Sequence, residues 1–194
     1  MKIVVATNNM NKLREFREIL GEGYEVVSQR EAGADFEVEE DTGTFAGNAA
    51  KKAREVAEFT GCMVVADDSG LCVEVLGGEP GVDSAIYAGE HGADDENNAK
   101  LLREMAGKGN RRAYFVCVIA VVYPSGEEHI IEERWHGSIA EEIRGKNGFG
   151  YDVLFIPEGM DMTSAEMDAE AKNRMSHRAK ALQKLKEKLK QTAG

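Results

Sequence analysis

Residues 64–78 read VVADDSGLCVEVLGG. The apolar run Val64, Val65, Ala66 stops at two adjacent carboxylates, Asp67 and Asp68, and Ser69-Gly70 leads into a second apolar run. A short apolar run bounded by turn residues reads as a buried strand. Sheets of the α/β class take their ligands beyond the carboxyl ends of their strands. The pair would sit at such an end, and two like charges side by side must stay hydrated or meet a cation. Magnesium prefers carboxylate and phosphate oxygens, would relieve the repulsion, and would orient a water for attack. The bland alternative is a polar turn, for which Asp, Ser and Gly are common choices. The balance goes to function, because the pair interrupts two apolar runs and no lysine stands beside it in sequence.

Working outward, residues 3–6 form a short strand that runs into TNNMNK. A helical pattern follows with Leu13, Phe16, Ile19 and Leu20 on one face, ended by Gly21 and Gly23. A second strand falls at 24–27. Thr42 or Thr44 caps a helix whose apolar face is Phe45, Ala49, Ala53, Val56 and Ala57, and Gly61 ends it. Residues 63–66 are the strand before the Asp pair, residues 77–81 a loop, and residues 97–105 a helix. The strand at 112–123 and the PSGE turn at 124–127 predict a hairpin returning over 128–136. A Gly-rich loop at 145–152 precedes an apolar run at 153–156. Residues 168–191 read as helix. Strands alternating with helices, followed by a hairpin, predict an α/β fold with a mixed sheet. No linker or repeat divides the chain, so residues 1–194 are expected to form a single domain.

The formal net charge of −11 disfavours non-specific binding to nucleic acid or to an anionic membrane. A local cluster of Lys and Arg would still hold a small polyphosphate, with magnesium offsetting part of the repulsion. Cys62, Cys72 and Cys117 are odd in number and set in apolar company, which reads as reduced core thiols. The longest apolar run, 114–123, is half of what a membrane span requires, and no signal peptide is visible; a cytoplasmic protein is expected.

Other stretches carry candidate chemistry. TNNMNK comprises Thr7, Asn8, Asn9, Met10, Asn11 and Lys12, where a strand turns into a helix; free backbone N–H groups and the helix dipole would attract an anion. Alone, it reads equally as a capped turn with a solvated lysine, and it is not a P-loop. Glu40, with Glu37, Glu39 and Asp41 around it, either supplies a further carboxylate or lies in a solvated acidic loop. Lys51 and Lys52 point about 100° apart on their helix, so one of them at most reaches a site. GFGYD places Phe149 and Tyr151 between glycines, suited to a stacked base or to a turn with one ring in the core. In KNRMSHR, Ser176 would cap a helix and leave His177 and Arg178 in its first turn, where cations oppose the dipole. That cost points to an anion or a keto-bearing base; the bland alternative is a basic helix end that balances local acid.

Four segments in order, ATNNMNKLREF, ADDSGLCVEVLGGEPGV, NGFGYDVLFIPEG and AEMDAEAKNRMSHRAKAL, resemble the inosine triphosphate pyrophosphatase (Ham1-like) family along essentially the whole chain. The resemblance implies a long mixed β-sheet flanked by helices, forming two lobes with a central cleft, in a homodimer. It implies magnesium-dependent hydrolysis of a non-standard purine nucleoside triphosphate (ITP, dITP or XTP) to the monophosphate and pyrophosphate. By the same resemblance, Thr7, Asn8, Asn9, Met10, Asn11 and Lys12 form the triphosphate loop. Glu40, twelve residues before the helix lysine Lys52, and Asp68 are metal ligands; Asp68 is also the proton acceptor, with Ser69 beside the substrate. Phe149, Gly150, Tyr151 and Asp152 hold the nucleoside, and Lys172, His177 and Arg178 are late substrate-binding positions. The chain departs from the pattern at Asn8, where many relatives have Gly, and at Asp83 and Ile86, where bacterial relatives often have Tyr and Arg. Two other readings stand beside this one: a regulatory module that binds a nucleotide without hydrolysing it, and a pyrophosphatase for another modified nucleotide.

Overall fold

The computed structural model describes residues 1–192. Six strands, β1 (Lys2–Val5), β2 (Glu25–Ser28), β3 (Val64–Val73), β4 (Arg112–Val122), β5 (Glu128–Ile139) and β6 (Phe155–Pro157), form one sheet in the order β2-β1-β3-β4-β5-β6. β1 pairs parallel with both β2 and β3, and β6 runs antiparallel to β5, so the sheet is mixed and the class is α/β. The helices are α1 (Met10–Leu20), α2 (Phe45–Thr60), α3 (Asp94–Glu104), α4 (Ala169–Met175) and α5 (His177–Thr192).

The chain divides into two compact units. The first comprises Met1–Asp68, Cys117–Glu133 and the segment from Arg178 onward; the second comprises Ser69–Val116 and Arg134–His177. In the first, Ile3, Val5 and Val65 share a strand face with Cys117, Ile119 and Val121, and this face is packed by Leu13, Phe16 and Leu20 of α1 and by Leu182, Leu185 and Leu189 of α5. The three α1 residues recur at spacings of three and four, which places them on one helix face. Asn9 caps α1 and Gly21, at φ 65°, ends it. Thr44 caps α2, accepting from the Gly47 N–H, and left-handed Gly61 closes it. The second unit has its own core, in which Leu71, Val73, Leu101, Phe115, Trp135 and Phe155 meet.

Three sequence expectations are corrected. The Asp pair is not a turn after a strand; β3 runs on through Asp67, Asp68 and Ser69 to Val73. Depletion of Asp and Gly from strands is a context-dependent preference, here overridden by the cations that receive the carboxylates. The tail is two helices rather than one, because Ser176, extended at φ −65° and ψ 162°, separates α4 from α5. α3 starts at Asp94 rather than at residue 97, since Asp94, Asp95 and Glu96 fill its first turn, where negative charge favours the dipole.

Phe16 is fully buried between sheet and helices. Phe16→Ala is expected to cost about 3–5 kcal/mol through lost transfer energy and a residual cavity. Urea unfolding should show a lower midpoint with the slope unchanged.

Candidate active site

The loop after β1 starts from the sheet. The Ala6 N–H donates to the Val65 carbonyl at 2.9 Å, which extends the parallel ladder one step past the end of β1. The turn then closes on itself: Thr7 Oγ1 accepts from the Asn9 N–H at 3.1 Å, and Asn9 Oδ1 accepts from the N–H groups of Asn11 at 2.9 Å and Lys12 at 3.2 Å. The expectation of free amides here is therefore corrected for these three, which the turn's own side chains satisfy. What the loop offers an anion is the dipole of α1 and the Lys12 ammonium. Met10 projects into solvent, 67 % exposed.

Successive side chains of a strand point to opposite faces. Asp67 has the parity of Val65 and lies on the α1–α5 side, so the two carboxylates are divided rather than paired. Asp67 Oδ2 accepts from Arg178 Nη2 at 3.0 Å and Nε at 3.3 Å, and lies 3.2 Å from Lys12 Nζ. Arg178 Nη1 bonds to Glu15 of α1. Burial alone would raise the Asp67 pKa, but Lys12, then Arg178 and Lys52, outweigh it and hold the carboxyl well below the usual range. The same carboxylates keep the buried guanidinium charged, Asp67 and then Glu15 overcoming its desolvation. The predicted dipole cost of a cation at the start of α5 is met inside the protein by these two acids.

Asp68 has the parity of Val64 and Ala66 and meets α2. Asn48 Nδ2 donates to Asp68 Oδ2 at 3.0 Å. The Asn48 amide is oriented by Thr42, whose Oγ1 donates to Asn48 Oδ1 at 2.7 Å. Lys52, one turn further along α2, donates to the Asp67 carbonyl at 2.8 Å and pairs with Glu40. Lys51 points away and pairs with Asp41 at 2.7 Å, so one lysine of the two reaches the site. Burial pushes the Asp68 carboxyl up to about 6, against the pull of Lys52 and with added repulsion from Glu40. Lys52 is pushed upward: burial opposes its charge, but Asp68 and Glu40 more than restore it.

Glu40 and Asp68 offer hard carboxylate oxygens in one electrostatic neighbourhood, and a buried carboxylate that ionises reluctantly gains from a cation. The described residues contain no group of three or more His, Cys, Asp or Glu able to hold a metal. Two carboxylates without an all-protein cage suit magnesium, which commonly binds through one or two carboxylates, waters and substrate phosphates.

In the second unit, Asp152 organises the GFGYD segment. Its Oδ2 accepts from the Phe149 N–H at 3.0 Å and from Lys172 Nζ at 2.7 Å, and its Oδ1 accepts from Ser164 Oγ at 2.8 Å. The Lys172 ammonium lies 4.8 Å from the centre of the Phe149 ring, a cation–π distance. Tyr151 is tucked into the core and donates its hydroxyl to the Ser84 carbonyl at 2.6 Å, and burial pushes its pKa up. Of the segment's two aromatics, Phe149 is therefore the one suited to a ligand. His177 is buried and stacked on Phe115, with ring centroids 4.8 Å apart and planes 11° from parallel. Ser69 lies half-buried in β3, directly after Asp68.

Sequence reading passed over Glu15 and Asn48. Each stands one helical turn from a lysine it works beside: Glu15 three residues after Lys12, Asn48 four before Lys52. A polar residue on the buried face of an amphipathic helix was the available signal.

Two outcomes follow from these environments. In protein stripped of divalent ions, the side-chain carbon resonance of Asp68 should titrate with a midpoint near 6, while Asp67 stays ionised well below the usual carboxylate range. A common midpoint near 4 would refute the division. Because the folded value of Asp68 lies above its unfolded one, its contribution favours folding below about pH 4 and is lost as pH rises through 6, a swing of about 3 kcal/mol. Gly148 sits at φ +74°, and a Cβ there would fall 2.1 Å from Asp152 Oδ2. Gly148→Ala should therefore displace the Asp152 carboxylate from the Phe149 N–H and Lys172, which a crystal structure of the variant checks.

The Ham1 family matches residues 3–188. The dITP/XTP pyrophosphatase of Clostridium tetani is 50 % identical over 192 residues, covering 97 % of this chain and 96 % of that one. The dITP/XTP pyrophosphatase of Bacillus subtilis is 49 % identical over 185 residues, covering 94 % and 93 %. Among solved structures, the Staphylococcus aureus Ham1 protein superposes with a TM-score of 0.90 at 40 % identity, covering 99 % of this chain and all of that one. With the family matched over nearly its full length, and the fold shared at that identity, the chain belongs to the Ham1 family.

Proposed function

We propose that the chain hydrolyses non-standard purine nucleoside triphosphates, dITP, ITP and XTP, to the monophosphate and pyrophosphate. The observation that carries this reading is Asp68: a buried carboxylate in the middle of β3, beyond the stretch paired with β1, close to neutrality, with Glu40 and Lys52 around it. The naming of full-length relatives as dITP/XTP pyrophosphatases supports the same substrate class.

Magnesium, held by Glu40 and Asp68, would supply Lewis acidity toward the phosphate oxygens. The chain's own residues do the rest by positioning and electrostatics. Asp68 orients a water toward the α-phosphorus and accepts its proton. Asn48 fixes the rotamer of Asp68. Lys12 and Lys52 meet the charge that develops on the departing pyrophosphate. Phe149 offers a ring to the base, with Lys172 and Asp152 holding that ring's segment. Inosine and xanthosine present a 6-keto acceptor where adenine presents a 6-amino donor. A donor facing the 6-position separates these, because adenine leaves it unpaired.

We further assign the protein to the cytoplasm as a homodimer without nucleic-acid partners. The strong acidic balance supports the last point. Among the described residues no helix is long and apolar enough to cross a membrane.

Pyrophosphate release from dITP, XTP, dATP, dGTP and dCTP, with and without magnesium, tests the reading. Both dITP and XTP should be turned over far faster than dATP, whose base carries a 6-amino group, the metal should be required, and Asp68→Ala should lower turnover by about 10²–10⁴-fold with the fold retained. Equal turnover of dATP, orthophosphate in place of pyrophosphate, or a fully active Asp68→Ala enzyme would refute it.

A further inference from the structure

The segment proposed to hold the nucleoside is gripped from α3 at one residue. Gly150 donates its N–H to Asp94 Oδ2 at 2.7 Å, and its carbonyl accepts from Asn98 Nδ2 at 2.9 Å. Asp94 and Asn98 are one turn apart, so a single face of α3 holds both backbone groups of the residue that follows Phe149. Asn98 also donates to the Asp94 carbonyl at 2.8 Å. Two carbonyls therefore face its Nδ2, which fixes the amide's orientation: an oxygen there would oppose both. The partners are not equal. Asn98 is 2 % exposed, so water cannot replace its bond to Gly150, whereas Asp94 is exposed and water can partly stand in for it.

We propose that Asn98 and Asp94 are positioning residues for nucleoside recognition, setting the pose of Phe149 through the backbone of Gly150. The inference rests on the reading that Phe149 contacts the base. Gly150 sits at φ +59°, a conformation held here by two external bonds rather than by its own side chain. Loosening it lets the Phe149 ring drift without touching Asp68, Glu40 or Lys52. The signature is accordingly a change in substrate affinity and base discrimination, with the chemical step left alone.

Steady-state kinetics on dITP and dATP, with folding checked by urea melts, provides the test. Asn98→Asp is nearly isosteric but replaces the donor by an acceptor. It should raise KM for dITP about tenfold, narrow the dITP/dATP ratio of kcat/KM, and leave kcat within about twofold. Asp94→Asn keeps an acceptor for the Gly150 N–H and should behave as the parent; Asp94→Ala removes it and should raise KM by about two- to fivefold. A merely structural role would lower the melt of Asn98→Asp and of Asp94→Ala with KM unmoved, and that result overturns the inference. Equal KM for Asp94→Asn and Asp94→Ala overturns it as well. Phe149→Ala separates the two levels: unchanged KM there refutes the nucleoside reading and the inference with it. A raised KM there with an unmoved Asn98→Asp refutes the inference alone.

Discussion

The buried carboxylate of Asp67 is the constraint on which the first unit depends. A full charge inside a protein is tolerated only when it is paired and hydrogen-bonded. Asp67 meets that condition by drawing Lys12 from α1 and Arg178 from α5 onto one oxygen, and Glu15 of α1 closes the set from the other side of the guanidinium. Three elements far apart in sequence are thereby held in one arrangement. The apolar packing of Leu13, Phe16, Leu182 and Leu185 brings the same helices to the same sheet face without fixing their register. The ionic cluster does fix it, because displacing either helix would strand a charge. Breaking one partner of such a cluster costs about 3–5 kcal/mol, more than replacing it whole by apolar groups would.

The neighbouring Asp68 has the opposite character. It is buried but undercompensated: one amide donor from Asn48, the pull of Lys52, which is shared with Glu40, a smaller one from Lys12, and a pKa raised toward neutrality. Strand geometry produces this contrast from two identical residues, since one step along β3 exchanges one face for the other. A group that stays ionised serves as an anchor, and a group close to its pKa at neutral pH fits the role of base proposed for Asp68. Perturbed carboxylates of this kind mark functional sites because catalysis needs a proton acceptor poised near the working pH. In the second unit, the Asp152–Lys172 pair and the α3 grip on Gly150 spend their polar groups on holding a loop still.

Much of this was legible in the sequence. The class, the alternation of elements, the hairpin and the caps at Thr44, Gly21 and Gly61 follow from periodicity and turn chemistry, which are local. At Asp67 and Asp68 the sequence pattern ends the strand too early. Polar residues look like a turn until the cations that pair with them are known, and Arg178 lies 111 positions away in sequence. The free amides expected after β1 failed for the opposite reason: Thr7 and Asn9 satisfy them locally, as Asn and Thr readily do. Glu15 and Asn48 stand on buried helix faces, but the partners that explain them, Arg178 and Asp68, lie 163 and 20 positions away in sequence. The roles of Gly148 and Gly150 depend on what stands opposite them, which a single sequence does not carry.

The division between the two aspartates is tested most directly by measuring unfolding free energy and pyrophosphate release side by side on Asp67→Asn and Asp68→Asn at neutral pH. A crossed pattern is expected. Asp67→Asn should lose several kcal/mol of stability, about 3–5, as the buried charges of Arg178 and Lys12 lose their shared counter-charge. Asp68→Asn should keep its fold, or gain slightly, while turnover falls by at least about a hundredfold. Matching losses of stability and turnover in both variants, or an active Asp68→Asn enzyme, would contradict the account.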